Sequence, residues 1–309
     1  MEEINFDSSR NSAILYSFLA ISFYWVSSLV YVFLNKSLIG LSNMNFEFML
    51  FTVCIQNFIA IFLGHIADLF YFTVHYPTFT LSASELGMIL SFIGILISNN
   101  YNLKFGGIAF FHVSRSWTIL FMLILSKLIY ESFIIPNKII VIATILTLSI
   151  LLVVREESSQ GTLSIKAVVC GFLSSLLTAI NVMSIRNEQK IHRDCLRTAY
   201  LMNFGAFIFL FPVVLYNLKS IKVSILDNTN YIKLLLLSGV VGFILGVALN
   251  NEMTYINPIS HQISTSMKSV VQTVFGSIVY KENKSTSWWF YNLAIFLCTV
   301  AYTIVIIQK

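Results

Sequence analysis

Two cations, Arg115 and Lys268, lie deep inside apolar runs that carry no acid of their own. Arg115 is about nine residues into the run from 106 to 126, and Lys268 about eleven into the run from 257 to 280. A helix rises about 1.5 Å per residue, so both sit roughly 15 Å deep, near the centre of a hydrocarbon layer about 30 Å thick. A cation there costs at least about 2.5 to 3.5 kcal/mol and normally faces a polar cavity with a partner. The fourteen carboxylates, Glu47, Asp68, Glu85, Glu131, Glu252 and Glu282 among them, fall at the ends of apolar runs or between them. Two readings follow. Either the cations are structural, snorkelling or capped by backbone carbonyls and Asn side chains, or an anionic substrate supplies the missing charge. Depth argues against snorkelling. Two fixed cations also match the roughly two negative charges of a nucleoside monophosphate or a diphosphate diester, so the second reading is favoured.

The residues around these cations are polar at helical spacing. His261, Ser264 or Thr265, Lys268 and Gln272 recur every three or four positions, and His112, Arg115 and Ser116 repeat the pattern. Tyr24, Ser27 or Ser28, Tyr31 and Asn35 form a third stripe; Ser91, Ser98 and Asn102 form a fourth. Each stripe alone could bond helix to helix, but together with the cations they imply a water-filled cavity. His112 and His261 lack the spacing of metal ligands, so hydrogen-bonding or lining roles are expected, with no metal and no cofactor. An intramembrane enzyme would want paired acids, a metal constellation or a nucleophile with its base. The spans hold none of these, so no enzyme is expected.

The elements that must carry these residues are membrane helices. Of 309 residues, 57% are hydrophobic and 11% charged, against roughly 25% charged in soluble domains. Apolar runs near 12–34, 46–68, 86–103, 106–126, 137–154, 165–185, 199–216, 232–250, 257–280 and 288–307 predict ten transmembrane helices. The first run is read as a retained span and not a cleaved signal, because acids precede it and it is too long. The hydrophilic break from Arg155 to Thr162 divides the chain into 1–155 and 156–309, five spans each. An odd set repeated must enter the membrane from the opposite side, which predicts an all-α membrane protein of two inverted five-helix repeats. Ser-Lys-Leu-Ile-Tyr-Glu at 126–131 faintly echoes Ser-Ile-Val-Tyr-Lys-Glu at 277–282.

Cys54, Cys170 and Cys298 lie in apolar runs and Cys195 in a polar loop, a pattern of inert thiols with neither a disulfide framework nor a metal site. A net charge of +5 without a dense basic cluster excludes a nucleic-acid role. The most basic loop, Arg186 to Arg197, points mildly to a cytosolic N-terminus. Asn35-Lys36-Ser37 and Asn283-Lys284-Ser285 match the glycosylation sequon but abut span ends, so neither is expected to be modified.

Several stretches resemble nucleotide-sugar transporters. These are Phe-Ile-Gly at 92–94, Asn99-Asn100, and Gly107 through His112 and Arg115 to Ser116. Tyr24-Trp25 with Phe33-Leu34-Asn35-Lys36, Gln160-Gly161-Thr162-Leu163, Pro258 through Lys268 to Thr273, and Tyr280, Glu282, Lys284-Ser285 and Trp288-Trp289 extend the match over nearly the whole chain. The chain is most similar to GDP-fucose transporters. The resemblance implies the ten-helix, inverted-repeat fold of the drug/metabolite transporter superfamily, a multi-pass Golgi location, and exchange of cytosolic GDP-fucose for lumenal GMP; with ten spans both termini share a side, so the basic loop makes both cytosolic. It leaves room for a homodimer. GDP-sugar carriers read guanine with Phe-Tyr-Asn-Asn in span seven; here the stretch is Tyr200-Leu201-Met202-Asn203, which keeps the last Asn. In span nine GDP-mannose carriers have Gly-Ala-Leu-Asn-Lys and GDP-fucose carriers resemble Ser-Gly-Thr-Ala-Lys; this chain has Ser264-Thr265-Ser266-Met267-Lys268, closer to the second. The implied substrate contacts are Lys268 and Arg115 to phosphate and Tyr200 and Asn203 to the base. Tyr24, Ser264, Asn99 and Asn100 fall on the sugar side, with Thr265, His112 and His261 lining. A GDP-mannose, UDP-sugar or sugar-phosphate exchanger is the alternative.

Overall fold

The computed structural model describes residues 2–42, 45–71, 82–129, 137–159, 164–192, 194–217, 228–256, 258–279, 281 and 284–307. Gln160 to Leu163, Glu131, Tyr280, Glu282 and Asn283 lie outside them, and so do parts of both internal echoes. The described residues form ten helices: α1 (Glu2–Ser42), α2 (Phe46–Tyr71), α3 (Ala83–Ser114), α4 (Trp117–Ile129), α5 (Asn137–Ser159), α6 (Ile165–His192), α7 (Cys195–Tyr216), α8 (Thr229–Tyr255), α9 (Pro258–Val279) and α10 (Thr286–Ile307). Seven of these, all but α4, α9 and α10, are long and apolar enough to cross a membrane. Polar side chains set the starts. Ser82 and Glu85 exchange bonds with each other's backbone N–H at α3, a capping box. Asp194 caps α7, Asn228 caps α8, and Ser285 accepts from the N–H of Trp288 in α10.

Two compact units result, and each takes helices from both halves of the sequence. The first contains residues 1–90 and 183–261, the second 91–182 and 262–309. In the first, α8 packs on α1, and α2 packs on both α7 and α8. Polar pins fix this packing. Gln56 donates to Asn35 and Ser238 at 3.0 and 2.8 Å, and Thr52 meets the Tyr231 hydroxyl at 2.8 Å. Arg197 on α7 reaches Glu85 on α3 at 3.1 Å and Glu188 on α6 at 2.6 Å. Because all three side chains are largely buried, losing the guanidinium strands two carboxylates. Arg197→Ala should therefore cost about 3 to 5 kcal/mol, read as a lower melting temperature of the detergent-purified protein; an unchanged midpoint would contradict this.

In the second unit α5 packs against α10. Their ends are fastened by Lys284 to Glu157 at 2.7 Å and by Ser285, which donates to Glu156 at 2.7 Å. Glu156 and Glu157, from the hydrophilic stretch expected to separate two halves, form part of the last turn of α5, with Glu157 buried.

The largest departure from the expected spans concerns α3 and α4. The helix expected to begin at 106 is continuous with the one before it except at Gly107, whose φ of 71° and ψ of −178° kink the path. It then breaks again at Arg115 and Ser116. Arg115 thus sits at an interruption and not, as expected, inside an unbroken helix. Around it the bonds tighten to a three-residue spacing, with Ser116 N–H to Val113 O at 3.0 Å and Thr118 N–H to Arg115 O at 3.1 Å. A backbone carbonyl freed within a membrane helix needs another donor. Ser175 of α6 supplies it, donating to Ser114 O at 2.7 Å.

Candidate functional site

The stretch from Ile108 to Ser116 is held from two sides. Gly171 of α6 lies against Ser114, so close that a Cβ there would fall 2.7 Å from the Ser114 Cβ, and Gly276 of α9 lies against Ile108 in the same way. Asn102 donates to the Ser114 hydroxyl at 2.7 Å across the kink. The break therefore has a fixed geometry, and Arg115 leaves it in a defined direction. Its guanidinium donates to Thr178 at 2.9 Å and lies 5.4 Å from the centre of the Phe111 ring. Those contacts engage one nitrogen and one face of a planar fork that carries five donors.

Lys268 is buried on α9, on the same helical face as Ser264, Thr265 and Gln272, all buried. The charges of Lys268 and Arg115 both reach His112, which is itself buried and has no hydrogen-bond partner at Nε2. Asn99, about two turns before the kink, accepts from Ser174 at 2.6 Å, and Asn100 donates back to Leu96 O at 3.0 Å. Lys268, Arg115, His112, Ser264, Thr265, Asn99 and Asn100 all belong to the second unit. A guanidinium fork, an ammonium and hydroxyls make this a donor-rich site suited to phosphate oxygens.

The remaining candidates belong to the first unit. Tyr200 is buried on α7, stacks on Phe204, meets the ring of His65 edge-on and brings its hydroxyl within 3.5 Å of His65 Nε2. Asn203, also buried, donates to Ala199 O at 2.7 Å. Tyr24 tilts against His261 at 5.2 Å between ring centres. His261 Nδ1 lies 3.0 Å from Glu252, which is fully buried. The sequence places Glu252 at a span end, and so it is, three residues before the end of α8; what position alone does not convey is its burial beside a histidine. Among the described residues no group of three or more His, Cys, Asp and Glu could hold a metal ion.

Sequence reasoning passed over Thr178, Ser174, His65 and the Glu252 contact. Ser174, Thr178 and Asn181 recur at spacings of four and three on α6, a stripe of the kind used to select the other helices, and this would have found the first two. Nothing comparable marks His65, a single histidine late in an apolar run.

The likeness to known proteins extends over most of the chain. A GDP-fucose transporter of Caenorhabditis elegans is 31% identical over 93% of this chain and 81% of its own length. The chain belongs to the nucleotide-sugar transporter family. Within that family it is most like the GDP-fucose transporters: GDP-fucose transporter 1 of Mus musculus is 28% identical, over 92% of this chain and 82% of the relative. The Golgi GDP-fucose transporter of Drosophila melanogaster is 25% identical over 93% and 88%. These relatives are named as transporters and not as enzymes, and so this family member is a multi-pass membrane transporter. No protein-family model matches it. One crystal structure, 14% identical, shares the fold with a TM-score of 0.61 over 96% of this chain and 98% of the other.

Proposed function

We propose that this transporter exchanges cytosolic GDP-fucose for lumenal GMP across the Golgi membrane. The observation that carries the reading is the presence in one unit of Arg115, fixed at a helix interruption by its bond to Thr178, and the buried Lys268, in a chain matched over 93% of its length by a GDP-fucose transporter. Lys268 and Arg115 take the phosphates. Tyr200 and Asn203 read the base, and Tyr24, Ser264, Asn99 and Asn100 contact the sugar, with Thr265, His112 and His261 lining. Residues 1–155 and 156–309 act as inverted repeats that alternate access, with both termini in the cytosol. Arg115 and the buried Lys268 hold an anion in both directions of the cycle; return with GMP bound is faster than return empty, and this makes exchange obligatory. No cofactor and no ion gradient is required.

Specificity is tested by competition against labelled GDP-fucose uptake into proteoliposomes, using GDP-mannose, UDP-sugars, sugar phosphates and GMP at equal concentration. GMP should compete and GDP-mannose should not. Equal inhibition by GDP-mannose would remove fucose selectivity, and inhibition by UDP-sugars would remove the guanine assignment to Tyr200 and Asn203.

A further inference from the structure

A second anion-compatible cavity lies in the first unit, where the ends of three helices meet. It has a volume of about 600 Å³ and is lined by Arg186, Gln189 and Lys190 from the last two turns of α6, Cys195 from the start of α7, and Asn251 and Thr254 from the end of α8. Two cations face it. Arg186 uses one N–H on Met253 O at 2.5 Å, which ties α6 to α8 and orients the rest of the guanidinium. Lys190 is exposed. Of the nearby acids, Glu188 pairs with the Arg197 guanidinium, while Asp194, which caps α7 by accepting from the Arg197 N–H, keeps its charge beside Cys195 and leaves the two cations in excess.

Behind the wall the helices are joined by a buried amide. Gln189 is buried and its amide donates to Thr198 at 3.0 Å and Asn250 at 3.4 Å, but its Oε1 has no hydrogen-bond partner. From Gln189 a polar line leads inward: Asn250 donates to Gly246 O at 2.8 Å, and a Cβ on Gly246 would fall 4.0 Å from the Asn203 side chain. Asn203 is eight residues beyond Cys195 on α7, about 12 Å deeper.

We propose that this cavity is an entry site for a nucleoside phosphate, which it captures at the helix ends before the ligand reaches the Tyr200 and Asn203 level. Arg186 and Lys190 attract the phosphates. The inference rests on the transport reading above for the identity of the ligand, but the site stands on its own residues.

Cys195 is the reporter. In protein carrying Cys170→Ser, which leaves Cys54 and Cys298 buried, an anionic methanethiosulfonate should label Cys195 at least about fivefold faster than its cationic counterpart at low salt, because a cleft of one sign concentrates counter-ions. GMP should slow that labelling, and should still do so in Lys268→Ala, where the proposed phosphate contact on α9 is gone. Lys190→Glu should abolish both the charge preference and the protection, and raise the KM for GDP-fucose about threefold to tenfold with the maximal rate kept, an effect that shrinks at high salt. Equal labelling rates for the two reagents, or GMP protection that is lost in Lys268→Ala while Lys190→Glu leaves it intact, would overturn the entry site without touching the transport assignment. Wild-type protein that protects Cys195 with GMP but exchanges nothing would overturn the transport reading and keep the site.

Discussion

Replacing Lys268 by Ala should lower GMP-dependent GDP-fucose exchange by at least about 30-fold at subsaturating substrate while leaving the melting temperature unchanged or higher. Removing one partner of a buried charge pair costs about 2 to 5 kcal/mol of binding, and about 1.4 kcal/mol is a factor of ten. The stability expectation has the opposite sign because the ammonium is buried in a membrane helix, where its desolvation costs about 2.5 to 3.5 kcal/mol, a burden that Ala does not carry. Lys268→Arg keeps the charge but not the compact ammonium, and should fall between wild type and Ala. The combination separates a substrate ligand from a structural cation: a lysine that held the helices together would lose stability and transport in parallel, so a melting temperature several degrees lower in Lys268→Ala would contradict the assignment.

The second large effect is expected at Gly107. Its φ of 71° with ψ of −178° falls in a region open essentially to glycine alone. Gly107→Ala forces either a strained residue, at about 1 to 3 kcal/mol, or a straightened α3. Straightening displaces every residue from Ile108 to Ser116, a stretch already pressed by Gly171 and Gly276, and so moves Arg115 off Thr178. Misplacing a binding group by about 1 Å can cost about 100-fold in rate, so exchange should fall much further than stability. Gly87→Ala on the same helix is the control, since a Cβ there meets nothing within 4 Å, and it should be neutral to slightly stabilising. Full activity in Gly107→Ala would show that the kink does not set the position of Arg115.

Much of this was legible from apolar runs, because a membrane helix declares itself by composition alone. Eight helices lie where the runs put them; α1, α5, α6, α7 and α8 extend several residues beyond their runs because the flanking polar residues continue the helix. The exception is the region from 86 to 126, where a single Gly permitted a kink that reads as a loop, and where the break at Arg115-Ser116 carries neither Gly nor Pro to announce it. That break depends on Ser175 from another helix, and a bond between distant residues leaves no local signal. The same reason hid the Glu252–His261 contact and the joining of Glu157 to Lys284. Arg115 and Lys268 were visible because a charge amid apolar residues needs no partner to be conspicuous. Their common neighbour His112 was a candidate for the weaker reason of helical spacing.

The most direct test is counterflow. Purified protein in liposomes preloaded with GMP should take up labelled GDP-fucose, liposomes without GMP should not, and imposed pH or sodium gradients should not substitute for GMP. Folded protein that gave no GMP-dependent uptake of any nucleotide sugar, or that took up GDP-fucose on a proton or sodium gradient alone, would contradict the exchange mechanism built on Lys268 and Arg115.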